Sequence, residues 1–188
     1  MKLLPLALAI CLMNVGAALA QESLSIDAMI LAAPTVVVAS VESRRAETED
    51  YGSSRLIVTK VTLRIEQTIK GSASQTLVVD VLGGTIGDMT LHVSHVPEFR
   101  VGDRDVLFLS GALHAVSPLV GSDQGRFRIL ADNESRQLRV LLPDFEPLSA
   151  LSQVGAERRG FARRMSDALT LDAFITALRD RVRVLGAR

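Results

Sequence analysis

The 188-residue sequence predicts a mainly β protein, a small barrel or sandwich completed by a C-terminal amphipathic helix. Three observations carry that expectation. Runs rich in β-branched residues recur between turn-forming clusters, enough for about six to eight short strands. Residues 56–70 alternate apolar and polar side chains with a period of two, which marks a sheet wet on one face and buried on the other. The period then changes: Leu171, Phe174, Ile175, Leu178 and Val182 repeat at helical spacing. Strands followed by one such helix suit a small sheet structure whose open end the helix covers.

Taken in order, residues 22–33 place Leu24, Ile26, Met29 and Ile30 at helical spacing, a short helix or docked arm. Pro34 ends it, because the residue before proline is pushed out of the α region. Thr35 to Val41 is a β-branched strand, and the polar stretch 44–55 reads as a loop or long hairpin tip. Leu56 to Lys70 is the best strand in the chain. Ile57, Val61, Leu63, Ile65 and Ile69 fall on one face, with Lys60, Thr62, Arg64, Glu66 and Thr68 on the other. It exceeds the usual ~5–6 residues, so it is expected to bend sharply or serve both sides of a barrel.

Thr76–Leu82 follows as a strand, Gly83–Asp88 as a kink or bulge, and Met89–Val93 as resumed alternation. A turn through Pro97–Asp103 leads into Asp105–Leu109, apolar on both faces and therefore central. Residues 112–120 and 125–130 suggest a hairpin around 121–124, and Leu138–Leu142 a last strand before Pro143. Thr170 is placed to cap the final helix, with Asp172 near its start and Arg179, Arg181 and Arg183 near its end, as the helix dipole favours.

The first twenty residues have the form of a secretory signal. Lys2 precedes an apolar stretch from Leu3 to Met13, and Ala18-Leu19-Ala20 offers a small-residue cleavage site before Gln21. A spanning helix needs roughly 20 apolar residues, so the stretch is too short to anchor. Cleavage between Ala20 and Gln21 removes Cys11, the one cysteine. The expected mature domain, about 168 residues, then holds together by a packed core without disulfides or thiolate metal sites. Residues 21–150 form the β domain, and 151–188 a basic linker and helix. Charge divides along that boundary: 12 Lys and Arg against 17 Asp and Glu in 21–150, and 8 against 4 in 151–188. The expected location is the periplasm or the extracellular medium.

Candidate chemistry is sparse. His92 and His95 lie three apart, which on a strand points them to opposite faces, and His114 is distant in sequence, so no metal site is expected. Gly121-Ser122-Asp123-Gln124-Gly125 lacks the order of a nucleophile elbow. Asp103 and Asp105 at a strand entry read as turn residues bonding their own backbone, as does Asp132-Asn133-Glu134. The glycines at 83, 84 and 87 lack the helix and Gly-Lys-Ser/Thr ending of a phosphate cradle, which argues against a nucleotide role. Arg158, Arg159, Arg163 and Arg164 form the strongest charge cluster. In an exported chain that cluster suits an anionic surface or acidic partner rather than nucleic acid, and a solvated linker is its simpler reading.

Ile69-Lys70-Gly71, Gly83-Gly84-x-x-Gly87, Pro97-x-Phe99-x-x-Gly102-Asp103, Val106–Leu109 and Gly125-Arg126-Phe127 occur in an order that resembles a group of exported bacterial proteins. Those are distantly similar to the netrin-like domain of tissue inhibitors of metalloproteinases. The resemblance implies an OB-type barrel with flanking helices over roughly residues 34–130. The inhibitors of that family chelate their target's zinc through an N-terminal cysteine. Here the expected first residue is Gln21, and no cysteine follows.

The sequence thus points to an exported, non-catalytic binding or accessory module without a cofactor, whose partner is another envelope or secreted protein. The expected binding rim comprises Gly83, Gly84, Gly87, Asp88, Phe99, Ser122, Asp123, Gln124 and Gly125. One alternative is a secreted protease inhibitor or regulator acting through a barrel loop. Another is a hydrolase using His92, His95 or His114.

Overall fold

A computed structural model describes residues 23–51, 54–156 and 164–187; residues 1–22, with the expected cleavage site between Ala20 and Gln21, lie outside them. Helix α1 (Ile26–Ala32) begins at Ser25, whose hydroxyl accepts the Ala28 amide, and buries Ile26, Met29 and Ile30. Eight strands follow: β1 (Thr35–Tyr51), β2 (Ser54–Lys70), β3 (Thr76–Leu82), β4 (Gly84–Ile86), β5 (Met89–Leu91), β6 (Arg104–Leu109), β7 (Arg126–Ala131) and β8 (Leu138–Leu141). Helix α2 (Leu171–Val184) closes the described chain, and its cap is the expected one: the Thr170 hydroxyl accepts the Ala173 amide.

The protein is mainly β, and six strands form one antiparallel sheet in the order β3-β2-β1-β6-β7-β8. The sheet is open, so of the barrel or sandwich expected, the barrel is not formed. Both outer strands are nonetheless shielded. On the outer side of β3, the Asp80 and Leu82 amides donate to the carbonyls of Leu113 and Val116. Along β8, bridges run to Pro147 and Thr170. Covered edges do not template pairing with another chain. Residues 112–120, expected to be a hairpin arm, instead follow the edge of β3, and only Leu119 bridges back to β6 at Leu109. Satisfying the backbone of β3 takes precedence over local strand propensity in that segment.

Both faces of the sheet are apolar near its centre. On one side Val36, Val38, Val106, Phe108, Phe127, Ile129 and Val140 pack under α1 and α2, which contribute Met29, Ile30, Phe174, Ile175 and Leu178. On the other, Val37, Ala39, Val41, Val61, Leu63, Val79, Leu107 and Leu109 form a second core with Phe99. β6 supplies both cores, as its doubly apolar sequence predicts, and occupies an inner position. Helix α2 therefore covers a face of the sheet rather than a barrel end.

Of the loop or long hairpin tip expected over 44–55, the structure has the hairpin: the polar residues 44–51 belong to β1. They continue the β1–β2 ladder to Tyr51↔Ser54, and ion pairs replace apolar burial along it. Lys60 meets Glu49 at 2.5 Å and Asp80 at 3.1 Å, while Arg45 meets Glu47 at 2.6 Å. Register shifts lie between Val36 and Val37, Val38 and Ala39, and Val41 and Ser43. Such bulges bend a long pair and change which face a side chain takes. Ile69 accordingly packs in the core beneath the helices, whereas Val61, Leu63 and Ile65 pack in the other. β5 stops at Leu91, short of the alternation expected through Val93.

Two charged contacts tie α1 down. Lys70 is buried, and its ammonium donates to the carbonyls of Ile30 and Ala33 at 2.6 Å each. Those carbonyls belong to the helix end, where cations are favoured, although burial pulls the lysine below its ordinary pKa. Arg181 on α2 makes a two-point contact with Asp27 on α1. Hydrogen bonding from Arg181 holds the Asp27 carboxyl below its ordinary value of 3.8. A depressed carboxylate contributes stability above its unfolded pKa and loses it as pH falls through the folded value. The α1–α2 contact is therefore expected to loosen only in acid, below about pH 4. Faster amide exchange in α1 there, absent in Asp27→Asn, is the measurement; equal acid sensitivity in that variant refutes it. No helix among the described residues is long and apolar enough to cross a membrane.

Candidate functional site

The site grows from an irregular segment, residues 92–103, lying against the core opposite the helices. Phe99 anchors it, 3% exposed among Leu107, Val79 and their neighbours. Its backbone is bolted on both sides. Arg44 donates to the Phe99 carbonyl at 3.1 Å and Arg126 to the Glu98 carbonyl at 2.6 Å. The Gly102 amide donates to Val41, and the Val41 amide to Asp103.

Beneath this segment lies a charge lattice built on adjacent strands. Arg126 and Arg128 alternate with Phe127 on β7, so both guanidinium groups leave the same face. Arg128 stands opposite Asp105 in the β6–β7 ladder. Arg126 donates to Asp105 at 2.9 and 3.0 Å and to Asp103 at 2.7 Å. Arg128 donates to the other Asp103 oxygen at 2.7 Å. Its Nε also lies 2.9 Å from Asp105 Oδ1, off the hydrogen-bonding direction, so that contact is charge proximity alone. Burial would raise the Asp103 carboxyl, yet the Arg100 amide, Arg126 and Arg128 hold it below its ordinary value. For Asp105 burial wins over Arg126 and Arg128, and its pKa is raised. Each arginine also stacks on an aromatic ring: Arg126 over Phe99 at 4.3 Å, Arg128 over Phe145 at 4.9 Å.

Two clefts flank the segment and share Val96, Pro97, Glu98 and Arg100 as a common wall. The first, about 500 Å³, is lined on its far side by Arg44, Thr59, the Gly83-Gly84 kink, Thr85, Thr90 and His92. The second, about 580 Å³, runs between the segment and the turn after β8, with Arg126, Arg128, Asp103, Asp123, Gln124 and Phe145 on its walls.

The expected rim is thus divided. Gly83, Gly84 and Phe99 line the first cleft, and Asp123 and Gln124 the second; Gly87, Asp88, Ser122 and Gly125 line neither. At Gly84 (φ +136°) a side chain would run into Thr59, so this glycine lets β4 lie close on β2. Gly125 serves packing in the same way, since a Cβ there would lie 2.6 Å from the Val120 carbonyl. Arg164 is exposed, while Arg158, Arg159 and Arg163 lie outside the described residues.

The three histidines have separate surroundings. His92 lines the first cleft, His95 Nδ1 lies 3.9 Å from Asp123 Oδ2, and His114 Nδ1 is 2.8 Å from Asp80 Oδ2. Among the described residues no group of three His, Cys, Asp or Glu side chains is placed to hold a metal ion. His92 and His95 fall beyond β5, so strand parity is not what separates them.

Arg126, Arg128 and Phe145 are the site residues that sequence reasoning missed. Asp103 does make the expected turn bond, accepting the Arg100 amide at 2.7 Å. Asp105, read as another turn residue, is instead a buried strand residue, 1% exposed. A signal was present in the spacing Asp103-x-Asp105 and Arg126-x-Arg128, two strands with opposite charges at period two. Comparison with family models, curated proteins and solved structures returns no match.

Proposed function

We propose that this protein is an exported, non-catalytic binding module of the periplasm or secreted space, and that the second cleft receives its partner, another envelope or secreted protein. The observation that carries this reading is an exposed phenylalanine held in left-handed backbone at the second cleft. Four non-glycine residues have positive φ among those described: His95 (60°), Ser122 (62°), Arg136 (60°) and Phe145 (68°). Phe145 lines the second cleft, and His95 and Ser122 each precede a lining residue. Left-handed backbone at a bulky residue costs on the order of 1–3 kcal/mol and concentrates at functional sites.

Phe145 is the telling case. The residue is 54% exposed, so burial does not offset the strain. The conformation holds an aromatic face at the cleft mouth, backed by the Arg128 guanidinium. Aromatic and arginine side chains together are what protein-binding hot spots use. The sequence likeness to netrin-like domains fits the same role, and the basic tail adds an anionic contact to this proposal.

Phe145→Gly tests it. Glycine accepts the positive φ, so the variant is expected to gain about 1 kcal/mol in stability while losing most of the partner captured by the wild-type chain from native envelope. Thermal unfolding and quantitative pull-down read the two effects. Undiminished capture by Phe145→Gly and by Asp123→Lys removes the second cleft as the binding surface.

A further inference from the structure

The two outer strands are covered, but among the described residues one side of the β1 extension is unpaired. β6 pairs with β1 only from Thr35 to Ser40, and Val41 exchanges backbone bonds with the 102–103 turn. Beyond that point β1 pairs with β2 on one side, from Ser43↔Thr62 to Tyr51↔Ser54, and among the described residues no strand pairs with its other side. Among the described residues a run of backbone donors and acceptors there has no strand partner, next to the first cleft.

Charged side chains ordinarily blunt such an edge, and this one is charged throughout. What sets it apart is the order of the charges: Arg44 and Arg45 come first, and Glu47, Glu49 and Asp50 follow. Laid antiparallel on a second copy with Glu47 at the two-fold axis, Arg45 faces Glu49 and Arg44 faces Asp50, once on each side. Directly opposite residues share a face, so these pairs are true cross-strand neighbours. Moving the axis to Ala46 sets Glu42 against Asp50, and moving it to Thr48 sets Glu47 against Glu49. A one-residue slip opposes the wrong faces. The Glu47 carboxylates that meet at the axis are each compensated within their own chain, by Arg45 at 2.6 Å and Lys60 at 3.5 Å. Arg45 and Asp50 pair within the chain with Glu47 and Arg55, yet their side chains stay 77% and 79% exposed, within reach of a partner strand.

We propose that the outer edge of β1, residues 43–51, pairs antiparallel with the same edge of a second copy, making a two-fold dimer with one continuous sheet. The interface is isologous, so one self-complementary charge pattern specifies both halves. None of residues 43–51 lines the second cleft, so the proposal does not rest on the partner proposed there.

Sedimentation of the purified chain tests it. The wild type is expected to form a dimer that weakens as salt screens the exposed pairs. Arg44→Glu/Arg45→Glu makes the edge wholly acidic, and Glu49→Arg/Asp50→Arg makes it mainly basic. Each variant alone is expected to lose the dimer, and their equimolar mixture to restore it as a heterodimer. Hydrogen exchange on the wild type supplies a readout that needs no variant: amides within 43–51 slow as concentration populates the dimer. A wild-type chain that stays monomeric at millimolar concentration, leaving the edge for a strand of another protein, overturns the proposal. So does a dimer that both variants retain, or one in which those amides exchange as fast as in the monomer.

Discussion

Replacing Arg126 by alanine is expected to cost about 3–5 kcal/mol of folding stability, the range for removing one partner of a buried ion pair. Arg126 is 4% exposed and joins four groups: the Asp103 and Asp105 carboxylates, the Glu98 carbonyl and the Phe99 ring. Its loss leaves Arg128 alone against two carboxylates and unpins the wall shared by both clefts. The penalty depends on pH with a definite sign. Asp105 has a raised pKa, so its ionisation opposes folding as pH rises through the folded value. Asp103 has a lowered one, and its contribution is present above the unfolded value and lost as pH falls through the folded value. Without Arg126 both carboxylates are costly when ionised, so the gap from wild type is widest near pH 7 and narrows in acid. Urea unfolding at pH 7 and at about pH 4 measures it. A gap that widens in acid contradicts this account. Arg126→Met with Asp105→Leu recovers stability if the loss comes from uncompensated charge, because an apolar pair of similar volume replaces a buried ion pair at little cost.

Phe127→Ala is expected to cost a similar ~3–5 kcal/mol by a different route, a cavity in a packed core. Phe127 is fully buried between Phe108 at 5.5 Å and Phe174 at 5.3 Å between ring centroids. The three rings join β6 and β7 to α2, so truncation removes the contact that seats the helix on the sheet. Phe127→Leu keeps most of the volume and is expected to lose less than half as much. Because this loss is apolar, it should stay constant over the pH range in which the Arg126→Ala loss changes. Chemical unfolding of both variants on one pH series separates the mechanisms, and parallel pH curves would show that the charge lattice is not what Arg126 stabilises.

Much of the local structure was legible before any tertiary contact was known. Periodicity identified the strand to Lys70, the doubly apolar Val106–Leu109 and the final helix, and Thr170 and Pro34 marked helix limits. These signals are local, because they come from which side chains share a face and which backbone groups lack partners. Part of the site was legible for the same reason: Gly83, Gly84, Phe99, Asp123 and Gln124 stand out as kink and turn residues, and they line the two clefts. The segment 112–120 misled because its best partner, the edge of β3, lies some thirty residues earlier in the chain.

The sequence by itself therefore determined a mainly β chain ending in an amphipathic helix, since the alternation of side chains decides what each segment can bury. Only the tertiary structure decided that the sheet stays open with both faces covered, because closure depends on strand order and register across the whole sheet. It also decided the charge lattice. Asp103 and Asp105 are far in sequence from Arg126 and Arg128 and become neighbours only when β6 and β7 pair. The positive φ of Phe145 was not legible either: a phenylalanine gives no sign of left-handed backbone, which goes with the tight turn in which the Phe145 amide donates to Leu142 and the Leu142 amide to Glu146.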